Sequence, residues 1–159
     1  MIYLDTSFLA PLVVAEESSD QVETTLGRLP AGSVATSLWT LVEFSSLIGR
    51  RIRMRDFSAA QAARVRSKFR QLIDTSCVLL VPGAADFSLA VDLLKNHRTG
   101  LRGGDALHLA IARNQGAEDV YTLDEKLIRA ARLLRIPARN AICRPKRRAG
   151  ALQASSRRR

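Results

Sequence analysis

Two hydrophobic rhythms take turns along this chain: short apolar runs of strand length, and longer stretches with apolar residues three and four apart. Ile2, Tyr3 and Leu4 open as a buried strand. Asp5, Thr6 and Ser7 interrupt it before Phe8, Leu9, Pro11, Leu12, Val13 and Val14 resume the apolar run. Val34–Thr36 offers a second strand leading into "SLWTLVEFSSLIGRRIRM" (37–54), which has helical spacing. "FSAAQAARVRSKFRQLIDTS" (57–76) is an Ala-rich helix with Ser58 placed to cap it. "CVLLVP" (77–82) reads as a buried strand, and "AADFSLAVDLLKNHRTG" (84–100) as a helix stopped by Gly100. A helix over 103–117 starts with Asp105 as N-cap and ends near Gly116. "DVYTLD" (119–124) is a strand, 125–136 a helix ahead of Pro137, and Asn140–Cys143 a last strand.

Strands alternating with helices predict an α/β protein with a central, mostly parallel sheet covered on both faces. The region 37–76 departs from strict alternation, with two helices before the next strand. The short connections favour right-handed crossovers within one domain.

Composition narrows this picture. A chain of 159 residues, 47% hydrophobic, can bury a real core. It has no apolar run long enough to cross a membrane, and its first residues do not resemble a cleavable leader. The two cysteines, Cys77 and Cys143, lack metal-ligand spacing and fit a reducing cytoplasm. The net charge of +10 is unevenly placed. Residues 144–159 hold seven cations (Arg144, Lys146, Arg147, Arg148, Arg157, Arg158, Arg159) and no acid, leaving +3 for residues 1–143. The expected organisation is therefore one domain over 1–143 and a basic, disordered tail over 144–159. The tail has two open readings, a nucleic-acid contact and a solubilising extension.

Four acids stand out. Asp5 and Asp124 sit at carboxyl ends of strands, Asp105 at a helix start, and Glu43 inside the apolar helix 37–50. At 100° per residue Glu43 projects between Trp39 and Leu47, on the side of Arg50. In a parallel α/β sheet these positions share one edge, where ligands gather. Four carboxylates brought together repel unless a cation neutralises them, and an all-oxygen set suits Mg²⁺ or Mn²⁺. Each acid also has a plain structural role: Asp5, Asp105 and Asp124 as helix caps, Glu43 as a solvated helix residue. His108, three residues after Asp105 in a helix apolar nearly all round, reads as a hydrogen-bonded core histidine, and His97 as a surface one. Two histidines with no third partner argue against a Ser–His–Asp or Cys–His hydrolase. "LRGGDAL" lacks the Gly-Lys-Ser/Thr of a P-loop. Arg50, Arg51, Arg53 and Arg55, then Arg64, Arg66, Lys68 and Arg70, either line a phosphate path or form solvated helix faces.

With these residues the chain, over about 1–143, resembles the PIN-domain ribonucleases, and within them the VapC-type toxins of toxin–antitoxin pairs. "IYLDTSFL" is similar to the family's opening strand and first acid, Asp5. "TLVEFSSLI", "GGDALHLAIA" and "VYTLDEKL" are similar to the segments of the second, third and fourth acids, giving Glu43, Asp105 and Asp124. Thr6 and Thr122 match accompanying hydroxyl positions. The usual aromatic after the fourth acid is replaced by Leu127, and the tail from 144 lies outside the pattern. The resemblance implies a three-layer α/β/α sandwich and an endoribonuclease for single-stranded RNA that uses Mg²⁺ or Mn²⁺. It also implies a homodimer and a cognate antitoxin. The implied metal set is Asp5, Glu43, Asp105 and Asp124, supported by Thr6 and Thr122, with Arg50, Arg51 and Arg102 as candidate RNA contacts. Two alternatives stand beside this reading. One is a catalytically idle module of the same fold that binds RNA or protein. The other is a metal-dependent phosphatase of similar architecture. A haloacid-dehalogenase-type phosphatase would need a second aspartate where Ser7 stands. A receiver domain would need a phospho-acceptor that "LLVPG" does not supply.

Overall fold

The computed structural model describes residues 1–142. Five parallel strands form one sheet in the order β3-β2-β1-β4-β5: β1 (Ile2–Leu4), β2 (Val34–Ser37), β3 (Val78–Leu80), β4 (Asp119–Tyr121) and β5 (Ala138–Arg139). Tyr3 is aligned with Ala35 on one side and with Val120 on the other. The chain thus winds outward from β1 through β2 to β3, then returns to β4 on the opposite side of β1. The switch point between β1 and β4 opens a crevice at their carboxyl ends.

Side chains that alternate along the strands divide the core into two layers. Tyr3 and Val120 point into one, with α5 (Ala84–Leu94), α6 (Gly103–Asn114) and α7 (Glu125–Leu133). Leu4 and Tyr121 point into the other, with α1 (Thr6–Leu9), α2 (Ser19–Leu26), α3 (Leu38–Arg53) and α4 (Ala59–Ser76). This is the expected three-layer α/β/α sandwich. Phe44 of α3 stacks on Phe69 of α4 with ring centroids 3.6 Å apart, which locks the two-helix excursion against the sheet. Ser58 caps α4 by accepting from Gln61 N–H, and the Gln61 side chain accepts from Ser58 N–H in return. β2 is buried at all four positions although it ends in Thr36 and Ser37. The Thr36 hydroxyl donates to Leu4 C=O at 2.8 Å, and Ser37 Oγ meets Tyr3 Oη at 2.8 Å, so both buried hydroxyls are satisfied.

Several expectations need correction. The run 77–82 is not a buried strand: β3 is an edge, and Val78 is 46% exposed. The helix expected over 84–100 stops at Leu94, and a short 3₁₀ turn (His97–Thr99) follows before Gly100. Gly100 has φ +64, a left-handed conformation that suits a residue without Cβ. Among the described residues the last strand is Ala138–Arg139, and 140–142, within the strand expected over Asn140–Cys143, is not strand. α2 lies in a polar stretch between the first two strands, where no apolar period predicts a helix. The expected tail, 144–159, and Cys143 lie outside the described residues. Among the described residues, no helix is long and apolar enough to cross a membrane.

Candidate active site

Asp5 follows the central strand directly and is only 4% exposed. Its Oδ1 accepts from Phe8 N–H at 2.9 Å, so it caps α1, and from Ser7 Oγ–H at 2.8 Å. The capping and site readings of Asp5 are therefore compatible. Burial pushes its carboxyl up, against the opposing pull of His108 and of the Thr122 and Ser7 hydroxyls. Ser7 is the residue that sequence reasoning missed. It also accepts from Leu123 N–H at 2.8 Å and lies 3.1 Å from Thr122 Oγ1. Thr122 Oγ1 in turn accepts from Asp124 N–H at 3.0 Å. Two hydroxyls thus tie the end of β1 to the loop after β4, across the switch point.

Glu43 stands on α3, half-buried. Its Oε2 receives Thr6 Oγ1–H at 2.5 Å and His108 Nε2 at 2.6 Å. Burial raises the Glu43 carboxyl, but the hydrogen bond and field of His108, with the Thr6 hydroxyl, outweigh it and hold the group below its ordinary range. His108 is a buried, hydrogen-bonded core residue as expected, and it also reaches a site acid directly. Oε1 of Glu43 lies against the first turn of α6. A Cβ added at Gly104 would stand 2.5 Å from that oxygen and 3.3 Å from Trp39 Nε1. Trp39 Nε1 is buried beside Glu43; it meets no partner in full hydrogen-bond geometry, yet its N–H adds to the pull that lowers the Glu43 carboxyl.

Asp105 is the third residue of α6, not its N-cap, which is Arg102. The Asp105 carboxylate reaches back to Arg102 N–H at 3.3 Å. Burial pushes its carboxyl up, and the negative charges of Asp124 and Glu43 push the same way. Asp124 caps α7, accepting from Lys126 N–H at 2.7 Å and from Leu127 N–H at 3.4 Å. Asp105 and Asp124 face one cavity of about 130 Å³, which Thr99, Gly100, Arg102 and Lys126 also line. Arg102 is therefore beside the acids. Arg50 and Arg51 are in the last turns of α3, and Arg51 is held by Asp56 at 3.2 Å and Glu16 at 3.8 Å.

All four predicted acids come to the carboxyl edge of the sheet or to the helix starts beside it. Among the described residues, no three of the His, Cys, Asp and Glu side chains close into a ready-made metal cage. The donor chemistry nevertheless fits a hard divalent cation. The set is carboxylate oxygen without thiolate, and the two carboxyls pushed up, Asp5 and Asp105, are ones that a cation would relieve.

Comparison with known proteins agrees with this fold. VapC20 of Mycobacterium tuberculosis, a toxin that cleaves the sarcin–ricin loop, superimposes with a TM-score of 0.63 at 25% identity, over 82% of this chain and 95% of its own. FitAcB of Neisseria gonorrhoeae matches with a TM-score of 0.64 at 15% identity, over 89% and 98%. VapBC-1 of nontypeable Haemophilus influenzae gives 0.62 at 15% identity, over 87% and 97%. No curated protein is a significant sequence match. The sequence pattern of the PIN domain matches residues 2–133, from the first strand to the end of α7, and the chain belongs to the PIN domain family.

Proposed function

We propose that this chain is a metal-dependent endoribonuclease that cleaves single-stranded RNA, and that it is the toxin of a toxin–antitoxin pair. The observation that carries the proposal is the placement of Asp5, Glu43, Asp105 and Asp124 around one switch point, with Asp5 and Asp105 both pushed up. Membership of the PIN domain family and the likeness to VapC20 support a nuclease. The likeness to VapBC-1 and FitAcB supports an antitoxin partner.

In this reading Asp5, Glu43 and Asp105 would hold Mg²⁺ or Mn²⁺, with Asp124 assisting. A bound divalent cation would lower the pKa of water and stabilise charge on the scissile phosphate. The chain's own residues supply the rest. Ser7 and Thr122 fix Asp5 and the Asp124 loop, and Thr6 fixes Glu43. Arg102 and Lys126, at the cavity shared with Asp105 and Asp124, bind backbone phosphates without reading sequence. The homodimer implied by the resemblance belongs to the same proposal. Phe87 and Val91, one turn apart and exposed on α5, offer apolar surface for it.

The test is cleavage of single-stranded RNA with Mg²⁺ or Mn²⁺ and with EDTA, comparing wild type and Asp5→Asn, beside a small phosphoester. Metal-dependent RNA cleavage lost in folded Asp5→Asn supports the proposal. Binding without cleavage favours the idle module, and turnover of the small phosphoester alone favours the phosphatase.

A further inference from the structure

We propose that a buried chain of three side chains, Ser37, Tyr3 and His108, positions Glu43 for metal binding. Ser37 Oγ lies 2.8 Å from Tyr3 Oη, Tyr3 Oη lies 2.8 Å from His108 Nδ1, and His108 Nε2 lies 2.6 Å from Glu43 Oε2. The four residues come from β2, β1, α6 and α3, so the chain crosses from one helix layer through the sheet's end to the other. Ser37 and Tyr3 are fully buried, and His108 is 2% exposed.

Packing alone does not call for these residue types. The neighbours of His108 on α6, Ala106, Leu107, Leu109 and Ala110, are all buried and apolar. Burying a hydroxyl, a phenol and an imidazole costs free energy unless each is paired, and pairing leaves at best a modest net gain. The chain leaves the core at Glu43. An ionised carboxylate only accepts, so Nε2–H donates to it. The other ring nitrogen, Nδ1, is held by Tyr3 Oη, and Tyr3 Oη by Ser37 Oγ, so the ring plane of His108 is fixed from behind.

The consequence is a choice between the two oxygens of Glu43. Thr6 and His108 both occupy Oε2. Oε1 is left against the first turn of α6, where Asp105 stands and where Gly104 has no Cβ to block it. A half-exposed glutamate without these bonds would sample rotamers toward water. Held this way, Glu43 keeps Oε1 on the side of the α6 first turn, where it and Asp105 would be available to hold a cation. His108 and Tyr3 do not touch the reacting atoms in this scheme. They are positioning residues.

This inference rests on the metal-nuclease reading, and the experiment separates the two. Mn²⁺ binding to the full chain is measured by titration calorimetry, with RNA cleavage and urea unfolding in parallel. The variants are Tyr3→Phe, His108→Gln and His108→Asn. Tyr3→Phe keeps the ring and removes only the hydroxyl. The Gln amide reaches the position of Nε2–H, whereas the Asn amide stops near Nδ1. Tyr3→Phe and His108→Asn should weaken Mn²⁺ binding about tenfold or more, the usual effect of losing a group that orients a metal ligand. His108→Gln should keep most of the affinity, and the losses should fall on kcat with KM for RNA little changed. A merely structural role would lower the urea midpoint and leave both the affinity of folded protein and the Gln-over-Asn order unmoved. Equal Mn²⁺ affinity in wild type and Tyr3→Phe, or in the Gln and Asn variants, overturns the inference alone. A wild type that neither binds Mn²⁺ nor cleaves RNA overturns the nuclease reading, and the inference with it. Nitrogen NMR of the metal-free wild type serves even if a variant fails to fold, because a proton on Nδ1 of His108 instead of Nε2 also overturns the inference.

Discussion

Replacing Gly104 by alanine tests the placement of Glu43 most sharply. In an ordinary helix this change stabilises by about 0.8–1 kcal/mol, because alanine loses less backbone entropy. Here the new Cβ would stand 2.5 Å from Glu43 Oε1, where ordinary contact begins at 3.4 Å. The carboxylate must therefore retreat by about 1 Å, a displacement that can cost about 100-fold in rate at a catalytic centre. It is not free to do so, since Oε2 is pinned by Thr6 and His108. Losing one of these bonds to a charged group forfeits about 1.5–3 kcal/mol, which more than offsets the helix gain. The expected variant is folded, less stable than wild type by roughly 1–2 kcal/mol, and at least tenfold slower in RNA cleavage. The control is Gly103→Ala, one residue earlier in the same helix, whose Cβ would meet nothing within 4 Å. It should be as stable as wild type or slightly more so, with unchanged cleavage. Urea unfolding and initial cleavage rates measure both variants. If Gly104→Ala is stabilised like an open-helix alanine and cleaves at the wild-type rate, Glu43 does not rest against α6 as described.

Further outcomes follow from other contacts. Asp5→Asn should keep the α1 cap, since asparagine caps as well as aspartate, and should abolish cleavage while raising the melting temperature of metal-free protein at neutral pH. The sign follows from linkage: a carboxyl raised in the fold makes stability fall as pH rises from its unfolded value near 3.8 through its folded one, and Asn removes that fall. Glu43 is lowered in the fold, so its contribution is present above its unfolded value near 4.5 and is lost as pH falls through the folded one; Glu43→Gln should flatten that acid limb of a stability–pH curve. Ser7→Ala should destabilise by about 1–3 kcal/mol in urea unfolding, because it strips a partner from buried Asp5 and from Leu123 N–H, and it should slow cleavage. Phe69→Ala, which deletes one ring of the Phe44 stack, should cost about 3–5 kcal/mol of stability and leave cleavage by the folded fraction intact.

Residue order by itself determined the alternation of strands and helices and the capped start of α4 at Ser58, and it singled out the four acids as candidates. These signals are local: hydrophobic period, a cap beside the run it caps, and an acid that interrupts or ends an apolar run. α2 escaped because its single buried residue, Val22, leaves no periodic stripe to read. The run 77–82 reads as buried because composition cannot tell a central strand from an edge. Only the pairing order decides that, and the order placed β3 outermost. Asp105 looked like a cap because an acid before an apolar run reads as one, but the helix begins two residues earlier, at Gly103. The support of the acids was legible only in three dimensions. Ser7 meets Thr122 across 115 residues of sequence, and His108 meets Glu43 across 65. A hydroxyl or an imidazole carries no sign of its partner in the sequence around it. Its meaning is set by the fold, which brings β1 between β2 and β4 and leaves each buried polar group to find a partner or bear the cost of having none.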